Sequence, residues 1–599
     1  MCGITGFIGP WDRVTLVEMT DLLRHRGPDD EGFHFTSLRS GEQNIGLGHR
    51  RLSIIDLDTG QQPIWNEQKT RGIIFNGEIY NYRQLRSQLE GRGCVFSTQS
   101  DTEVILRGYE EFGVRVLEKL EGMFAIAIWD EPEEKLFLAR DRIGIKPLYY
   151  YPGAHGEISF GSELKALLPL IQERNISKEA LYHYLLYGFV LQGESMVEGI
   201  HHLLPGHYLI WQNGSFTTQR YWRLQKQDYD AKTEADWMAL IEENLRNAVK
   251  SHLIADVPVG LTLSGGLDSS AVLALMCQSS DHSLLNAITV GYNRPDDETR
   301  YSRIAAAGFD VNVHERFIKI EDVGEHYEKI IYHMEEPIAH PVLGTTYFLS
   351  RAVREHLKVV LIGEGSDELF AGYPHYRLFT FPYSLAPEFL TRHFFMKAGY
   401  IMPGWRTIAN LLQPEWLDRD LLRQVAHRYD PYFSGGITGE RGLHFELEAE
   451  LVGSQLLRVD KLMMAHSVEA RVPFLDRNFV ELAYSIPYNL KRKNGIEKYI
   501  LRKAMSKYLP DEVAWRPKSG PKGTQALLQP LMDKALLPRW NDLLSNQSLT
   551  NHGMFIPEKM TKYLTERPWD KYDPIRSRGT TKFRLALLTL EIWRQIFCK

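Results

Sequence analysis

A cysteine stands at position 2, directly behind Met1, in MCGITGF. Loss of that methionine would put a thiol and a free α-amine on one residue. Their reference pKa values, about 8.5 and about 8, let the amine take the thiol's proton through water near neutral pH, which makes Cys2 a compact nucleophile and base. A carboxamide attacked by this thiolate passes through a tetrahedral intermediate whose negative oxygen needs donors aimed at it. Asn76 and Gly77, in IIFNGEIYN, offer a side-chain amide and a backbone N–H from adjacent positions, the inventory of an oxyanion hole. Glutamine is the carboxamide that suits the remaining charges. Arg51, in HRRLSIID, can fork its α-carboxylate; Asp101, in SDTE, can pair with its ammonium, and Glu78 is a further candidate for that end. Taken singly, each has an ordinary reading: a solvated arginine, a neighbour of a helix cap, a hairpin turn at Asn76-Gly77. Taken as a set, they describe an amide-hydrolysing centre.

A second set lies further along. SGGLDSS, at 264–270, lacks the GKS or GKT ending of a Walker loop. Gly265 and Gly266 still let the backbone approach a polyanion, and Ser264, Ser269, Ser270 and the helix start behind them supply donors for phosphate oxygens. Asp268 conflicts with phosphate unless a cation intervenes, and Mg2+ takes a carboxylate together with phosphates. GEGSDELFAGY follows the apolar run VVLI, so Asp367 at a strand's C-terminal end would complete the metal's shell with Asp268, while Glu364 would accept a proton from incoming ammonia. Lys498, in GIEKYILRKA, would neutralise growing phosphate charge; its ordinary reading is an exposed helix lysine.

These groups must be held by folded domains. Of the 599 residues 43% are apolar, enough to bury large cores, and the net charge of -6 is too mild for a nucleic-acid track or an acidic membrane partner. The 4 cysteines are scattered without CxxC spacing, which excludes a disulfide framework or a zinc site. No signal peptide or membrane span is read, so the cytoplasm is the expected compartment. From Gly3 to about residue 170, short runs such as CGITGFIG, GLGHRRLSIID, TRGIIFNGEIYN, GMFAIAIWD, KLFLARD and EISFGSEL predict strands. Asn81 to Gly91 and Thr102 to Phe112 carry helical spacing, with Ser100 and Glu103 marking a helix start. The first domain is therefore layered α/β. A less regular stretch over 205–232 leads out of it, although Pro205-Gly206 and Asn213-Gly214 can be turns of a last hairpin. The expected division is 2–225 and 226–599. In the second part a helix over 234–254 precedes strand-then-loop units of an open, mostly parallel α/β sheet.

The chain resembles the glutamine-hydrolysing asparagine synthetase family over nearly its whole length. MCGITGF, RHRGPDDEG, HRRLSIID, FNGEIYNY, SDTEVIL and ARDRIGIKPLYY carry the resemblance in the first domain; DVPVGLTLSGGLDSS, the VGY at Val290-Gly291, GEGSDELFAGY, SVEARVPFLD and EKYILRKA carry it in the second. It implies an α/β/β/α N-terminal-nucleophile hydrolase fold, then an open parallel ATP pyrophosphatase fold with a helical C-terminal part. By the same resemblance Cys2 is the nucleophile, Asn76 and Gly77 the oxyanion hole, and Arg51, Glu78 and Asp101 the glutamine site. Ser264, Gly265, Gly266, Asp268, Ser269, Val290 and Gly363 are expected at ATP, Asp268 and Asp367 at Mg2+, and Glu364 and Lys498 as the synthetase pair. Ammonia would pass internally between the centres. Arg471 would hold the interface or that route, or make a structural salt bridge. A homodimer also fits the resemblance.

The acceptor segment departs from the family pattern. Where bacterial relatives carry Thr-Thr-x-Arg, EEPIAHPVLGTTYFLSR has His340 and Pro341 and no such arginine, and VAWRPKSGPKG also differs. Glu336 and His340 are candidates for binding the acceptor. The alternatives are that Glu335 and Glu336 face water at a helix end and that His340 anchors the Pro337 to Pro341 loop. Lys518 and Lys522 either close on an anion or are a solvated basic loop. Aspartate is the leading acceptor; another carboxylate, in polysaccharide or secondary-metabolite synthesis, is the alternative.

Overall fold

The computed structural model describes residues 2–231, 233–279, 285–294, 297–309, 311–380, 387, 391, 395–396, 402–434, 436, 438–517, 527–543, 545, 553–565 and 574–598, the backbone alone over 574–578. Lys518 and Lys522 lie outside the described residues.

Alternation along the early strands builds two sheets face to face. In Gly3–Gly9, Ile4 and Ile8 point into a dry layer with Ile45, Leu47, Ile158 and Phe160, and the facing sheet contributes Ile74, Ala125, Ala127, Leu136 and Leu138. The first sheet runs in the order His201–His202, Tyr149–Pro152, Ile158–Gly161, Gly3–Gly9, Asn44–Arg51, Asp30–Ser37. The second runs Ser215–Arg220, His207–Gln212, Lys135–Arg140, Gly122–Asp130, Arg71–Ile79, Ile64–Trp65. Each outer face takes helices. Phe7 meets Leu16 and Met19 of Arg13–Asp21, and Phe75 and Ile126 share a core with Leu85 of Tyr82–Glu90 and Ile105 of Asp101–Phe112. The result is an α/β/β/α sandwich.

One local expectation changes, and of two readings of residues 205–220 the hairpin holds. Ser100 does cap Asp101–Phe112, accepting from Thr102 N–H at 3.2 Å. Glu103, however, does not return to Ser100: its carboxylate accepts from the Ser97 and Thr98 N–H groups at 2.9 and 2.7 Å, because the preceding turn folds those donors over it. Asn213 and Gly214, with φ of 52° and 73°, make a two-residue turn between His207–Gln212 and Ser215–Arg220, so much of the stretch read as irregular is a hairpin of the second sheet. Residues 221–231 then carry neither helix nor strand.

The second part has a parallel sheet in the order Asn312–Phe317, Asn286–Gly291, Val259–Thr262, Val359–Leu361, Glu469–Arg471. Strand order reverses at Val259–Thr262, and at such a switch point the loops leaving neighbouring C-terminal ends diverge to form a crevice. Those loops are SGGLDSS and GEGSDE. Leu267–Ser279, buried almost all round, roots the first of them. No described helix is long and apolar enough to cross a membrane.

Candidate active sites

Cys2 is buried at the start of Gly3–Gly9, and its backbone N–H donates to Asn76 Oδ1 at 3.1 Å. Asn76 and Gly77 lie inside the strand Arg71–Ile79 and form no hairpin turn. A Cβ on Gly77 would stand 2.0 Å from the Met123 carbonyl oxygen, so the strand crossing needs glycine there. Cys2, Arg51, Gly77, Glu78 and Asp101 line one small cavity of about 30 Å³, room for about two waters. Arg51 is not solvated: it is buried and spends its guanidinium on the carbonyls of Ile55, Asp56 and Leu57. Gly60 admits it, since a Cβ there would fall 2.4 Å from Nη2. Taking a carboxylate requires Arg51 to leave some of those carbonyls, which would also widen the cavity. Burial pushes the Cys2 thiol above its ordinary value.

Burial raises the Asp101 carboxyl to about 6, against the Ile79 N–H that donates to it at 3.0 Å. Only the carboxylate can hold an ammonium. We therefore expect kcat/KM for glutamine, which reports the free enzyme, to fall more steeply as pH drops below about 6, an added limb beneath the slope set by the Cys2 amine and thiol. Steady-state glutaminase kinetics from pH 5 to about 8 test this, and Asp101→Asn should remove the limb along with most of the affinity.

The second part of the chain completes this cavity through Glu469, which sequence reasoning missed, and through Arg471, which it placed at the interface or in a structural salt bridge. Glu469, from SVEARVPFLD, lines it beside Cys2. Two residues on, Arg471 bonds Glu78, holds Glu469 at 2.6 Å, and donates to the His252 and Ile254 carbonyls at 2.8 and 2.6 Å. Burial works against that guanidinium, and the two carboxylates keep it charged. Arg26, in RHRGPDD, was also missed: its Nε donates to the Cys2 carbonyl at 3.0 Å, and it pairs with Glu163 at 2.8 Å and Asp460 at 2.9 Å. Asp460 lies on Leu457–Met464, where Arg458 donates to Glu364 at 3.0 Å. Buried charges thus run from the Cys2 main chain to the second crevice. The legible signal was the motif strings themselves, whose unassigned charged members lie at this interface.

In the crevice, Lys498 is buried and is not an exposed helix lysine. Its Nζ meets Asp268 at 2.7 Å, Asp367 at 2.8 Å and Ser366 Oγ at 3.3 Å. Burial alone would lower its pKa, but the two carboxylates raise it. Ser366 also donates to Asp268 at 2.8 Å. Two carboxylates converging on one cation fit a magnesium ion whose other ligands are phosphate and water; among the described residues no set of three or more His, Cys, Asp or Glu is arranged for a metal. Ser264 Oγ and Ser269 Oγ stand 3.1 Å apart, and Gly266 N–H donates to Ser264 at 3.3 Å. Gly265 has φ of 68°, and Gly363 lies so close to the helix start that a Cβ would be 3.0 Å from Ser269 N. Val290 is near the C-terminal end of the neighbouring strand Asn286–Gly291.

The acceptor candidates separate. Glu335 and Glu336 are both buried, not turned to water. Glu335 accepts from Leu164 and Lys165 N–H at 3.0 and 2.8 Å and bonds Lys461; Glu336 accepts from Met196 N–H at 3.0 Å, with His202 at 3.7 Å. Their carboxylates are turned toward the first domain, so the expectation of Glu336 as an acceptor ligand is corrected on its placement: its Oε2 accepts from Met196 N–H, and its Oε1 is buried without a hydrogen-bond partner among the described residues. His340 accepts from Val342 N–H at 3.2 Å, the contact of a loop anchor, and its neighbours Arg458 and Lys582 help hold its pKa at about 3 after burial.

Residues 1–222 match the model of the glutamine amidotransferase domain family, and residues 240–595 match that of asparagine synthase. Asparagine synthetase [glutamine-hydrolyzing] 1 of Bacillus subtilis is 33% identical over 557 residues, covering 87% of this chain and 86% of that protein. Asparagine synthetase [glutamine-hydrolyzing] 3 of the same organism is 32% identical over 87% of this chain and 86% of that protein. Asparagine synthetase B [glutamine-hydrolyzing] of Escherichia coli is 32% identical over 86% of this chain and 81% of that protein.

Proposed function

Because the chain belongs to the glutamine-hydrolysing asparagine synthetase family and is thus a glutamine-dependent, ATP-using, amide-forming enzyme, we propose that it converts aspartate to asparagine, with Mg2+ at its ATP site. The convergence of Asp268, Asp367 and Lys498 beside SGGLDSS is the observation that carries the synthetase half of this reading.

In the first half-reaction Cys2, freed of Met1, attacks the glutamine carboxamide, with Asn76 and Gly77 at the oxyanion and Arg51 and Asp101 on the amino-acid end. Glu78 supports the site through Arg471. Ammonia leaves, and water hydrolyses the thioester to glutamate. In the second, Ser264, Gly265, Gly266 and Ser269 hold phosphates while the acceptor carboxylate attacks the α-phosphorus and expels pyrophosphate. Asp268 and Asp367 would hold Mg2+, whose chemistry is to offset phosphate charge. Lys498 then turns from the two carboxylates toward the departing pyrophosphate. Ammonia attacks the acyl-adenylate, Glu364 takes its proton, and AMP leaves. The cytoplasm supplies the ATP and glutamine this scheme requires.

A mass-resolved screen with amide-15N glutamine and Mg-ATP tests the acceptor. Labelled asparagine with stoichiometric AMP is expected from aspartate. A labelled amide formed instead from another carboxylate would overturn aspartate and leave the two-centre scheme standing.

A further inference from the structure

We infer that Arg516 is a second cation of the ATP site, reading the β- and γ-phosphates across the SGGLDSS loop. This rests on the reading of that loop as the phosphate cradle. The need is electrostatic. The crevice holds Asp268, Asp367 and Glu364, and each of its two inner cations is already engaged: Lys498 by both aspartates, Arg458 by Glu364 and by Thr346 Oγ1 at 2.7 Å. A triphosphate brings more negative charge than one metal ion offsets, and a planar fork is the group best shaped for phosphate oxygens.

Arg516 stands at the other wall. One of its terminal nitrogens lies 4.0 Å from where a Cβ on Gly266 would be, so the fork overhangs the second loop glycine. The guanidinium carbon is 3.8 Å from the centre of the Tyr301 ring. Tyr301 is itself part of the cradle: a Cβ on Gly265 would meet its carbonyl carbon at 2.3 Å. The same glycine pair therefore packs on the tyrosine and faces the arginine stacked upon it. The acidic neighbour of the fork is Glu298, at 3.5 Å and on a half-exposed side chain, a contact long enough for an incoming phosphate to replace.

The delivery is rigid. Arg502 donates to the Glu497 carbonyl at 2.8 Å, to the Glu497 carboxylate at 2.7 Å and to the Ala514 carbonyl at 2.7 Å. Glu497 precedes Lys498 and Ala514 is two residues before Arg516, so one buried arginine fixes both cations on a single unit. Lys498 then approaches the phosphates from the side of the two aspartates, and Arg516 from the side of the loop.

Calorimetric titration of the full chain with Mg-ATP and, separately, with AMP tests this without glutamine or acceptor, so it is independent of which carboxylate is amidated. Arg516→Gln is expected to weaken Mg-ATP by about 10- to 100-fold, the effect of one charge-assisted contact, and to leave AMP within about twofold. Arg516→Lys should recover part of the loss, and Glu298→Gln, which removes the competing carboxylate, should tighten Mg-ATP. Equal losses for AMP and Mg-ATP would reduce Arg516 to a structural stack on Tyr301. Unchanged Mg-ATP affinity would make it a surface cation. Ser269→Ala separates the underlying reading: normal Mg-ATP binding there, with a loss in Arg516→Gln, would remove the loop as cradle and keep the arginine. Should Arg516→Gln not fold, judged by its glutaminase turnover, unaltered affinity in Glu298→Gln would overturn the inference.

Discussion

Cys2→Ala is expected to abolish glutamine-driven amide formation, by at least about 10⁴-fold, while ammonia-driven formation continues within about twofold of the parent. The size follows from the proposed role: no other thiol shares the cavity, and Arg51, Gly77 and Asp101, which line it with Cys2, offer no group able to attack a carboxamide. The selectivity follows from the architecture. Cys2 touches the second half of the chain through Arg26, and that contact is made by its main-chain carbonyl, which alanine keeps. The buried line from Arg26 through Asp460 is therefore intact in the variant, and with it the setting of Arg458 on Glu364. Paired assays with glutamine and with ammonium chloride, following AMP and labelled amide, measure both arms. If the ammonia-driven rate fell together with the glutamine-driven rate, Cys2 would be holding the interface, and the nucleophile assignment would lose its support.

The two centres were legible in the sequence to different depths. Groups presented by a turn at a strand's end announce themselves, because the turn needs glycine and the chemistry needs a particular polar residue: SGGLDSS and GEGSDE are of this kind, and both leave adjacent parallel strands. The strands of the sandwich were legible for a similar reason, since Ile4, Ile8, Ile45 and Leu47 alternate with residues of the opposite face. Asp30–Ser37 was not, because it is a sheet edge that buries neither face fully and so has no apolar alternation to read. The interface was the least legible. Arg26, Glu163, Asp460 and Lys461 are charged, and charge in isolation reads as surface; each is buried against at least one partner more than a hundred residues away that neutralises it. Glu336 failed by a related mechanism: a carboxylate expected to meet a substrate is buried facing the first domain, with one oxygen on the Met196 N–H.

Lys498→Gly is the variant expected to divide stability from activity most sharply. Lys498 has φ of 54°, in the left-handed region that a non-glycine residue enters only when its surroundings compel it. Here the compulsion is visible: Asp268 and Asp367 draw the ammonium to 2.7 and 2.8 Å, and Gly372 makes room for the stem, since a Cβ there would lie 2.3 Å from Lys498 Cε. Glycine would relieve the backbone strain, of order 1–2 kcal/mol, but would leave the two carboxylates facing one another without a cation. Relief and repulsion oppose each other, so thermal stability should change little in buffer and rise with added Mg2+, the ion that fits the two freed carboxylates. Synthetase turnover should fall by about 10³-fold, since Arg516 faces the phosphates from the loop side and cannot stand in for an ammonium between the two aspartates, whereas glutaminase turnover, with its Cys2 cavity untouched, should persist. Differential scanning with and without Mg2+, alongside the two activity assays, reads all three. A large loss of stability that Mg2+ does not restore would mean that Lys498 is chiefly a structural counter-ion. Stability kept with synthesis lost would mean that the strain at this position is maintained for its chemistry: a lysine is held in a glycine's conformation because the ammonium must reach two aspartates now and a pyrophosphate later.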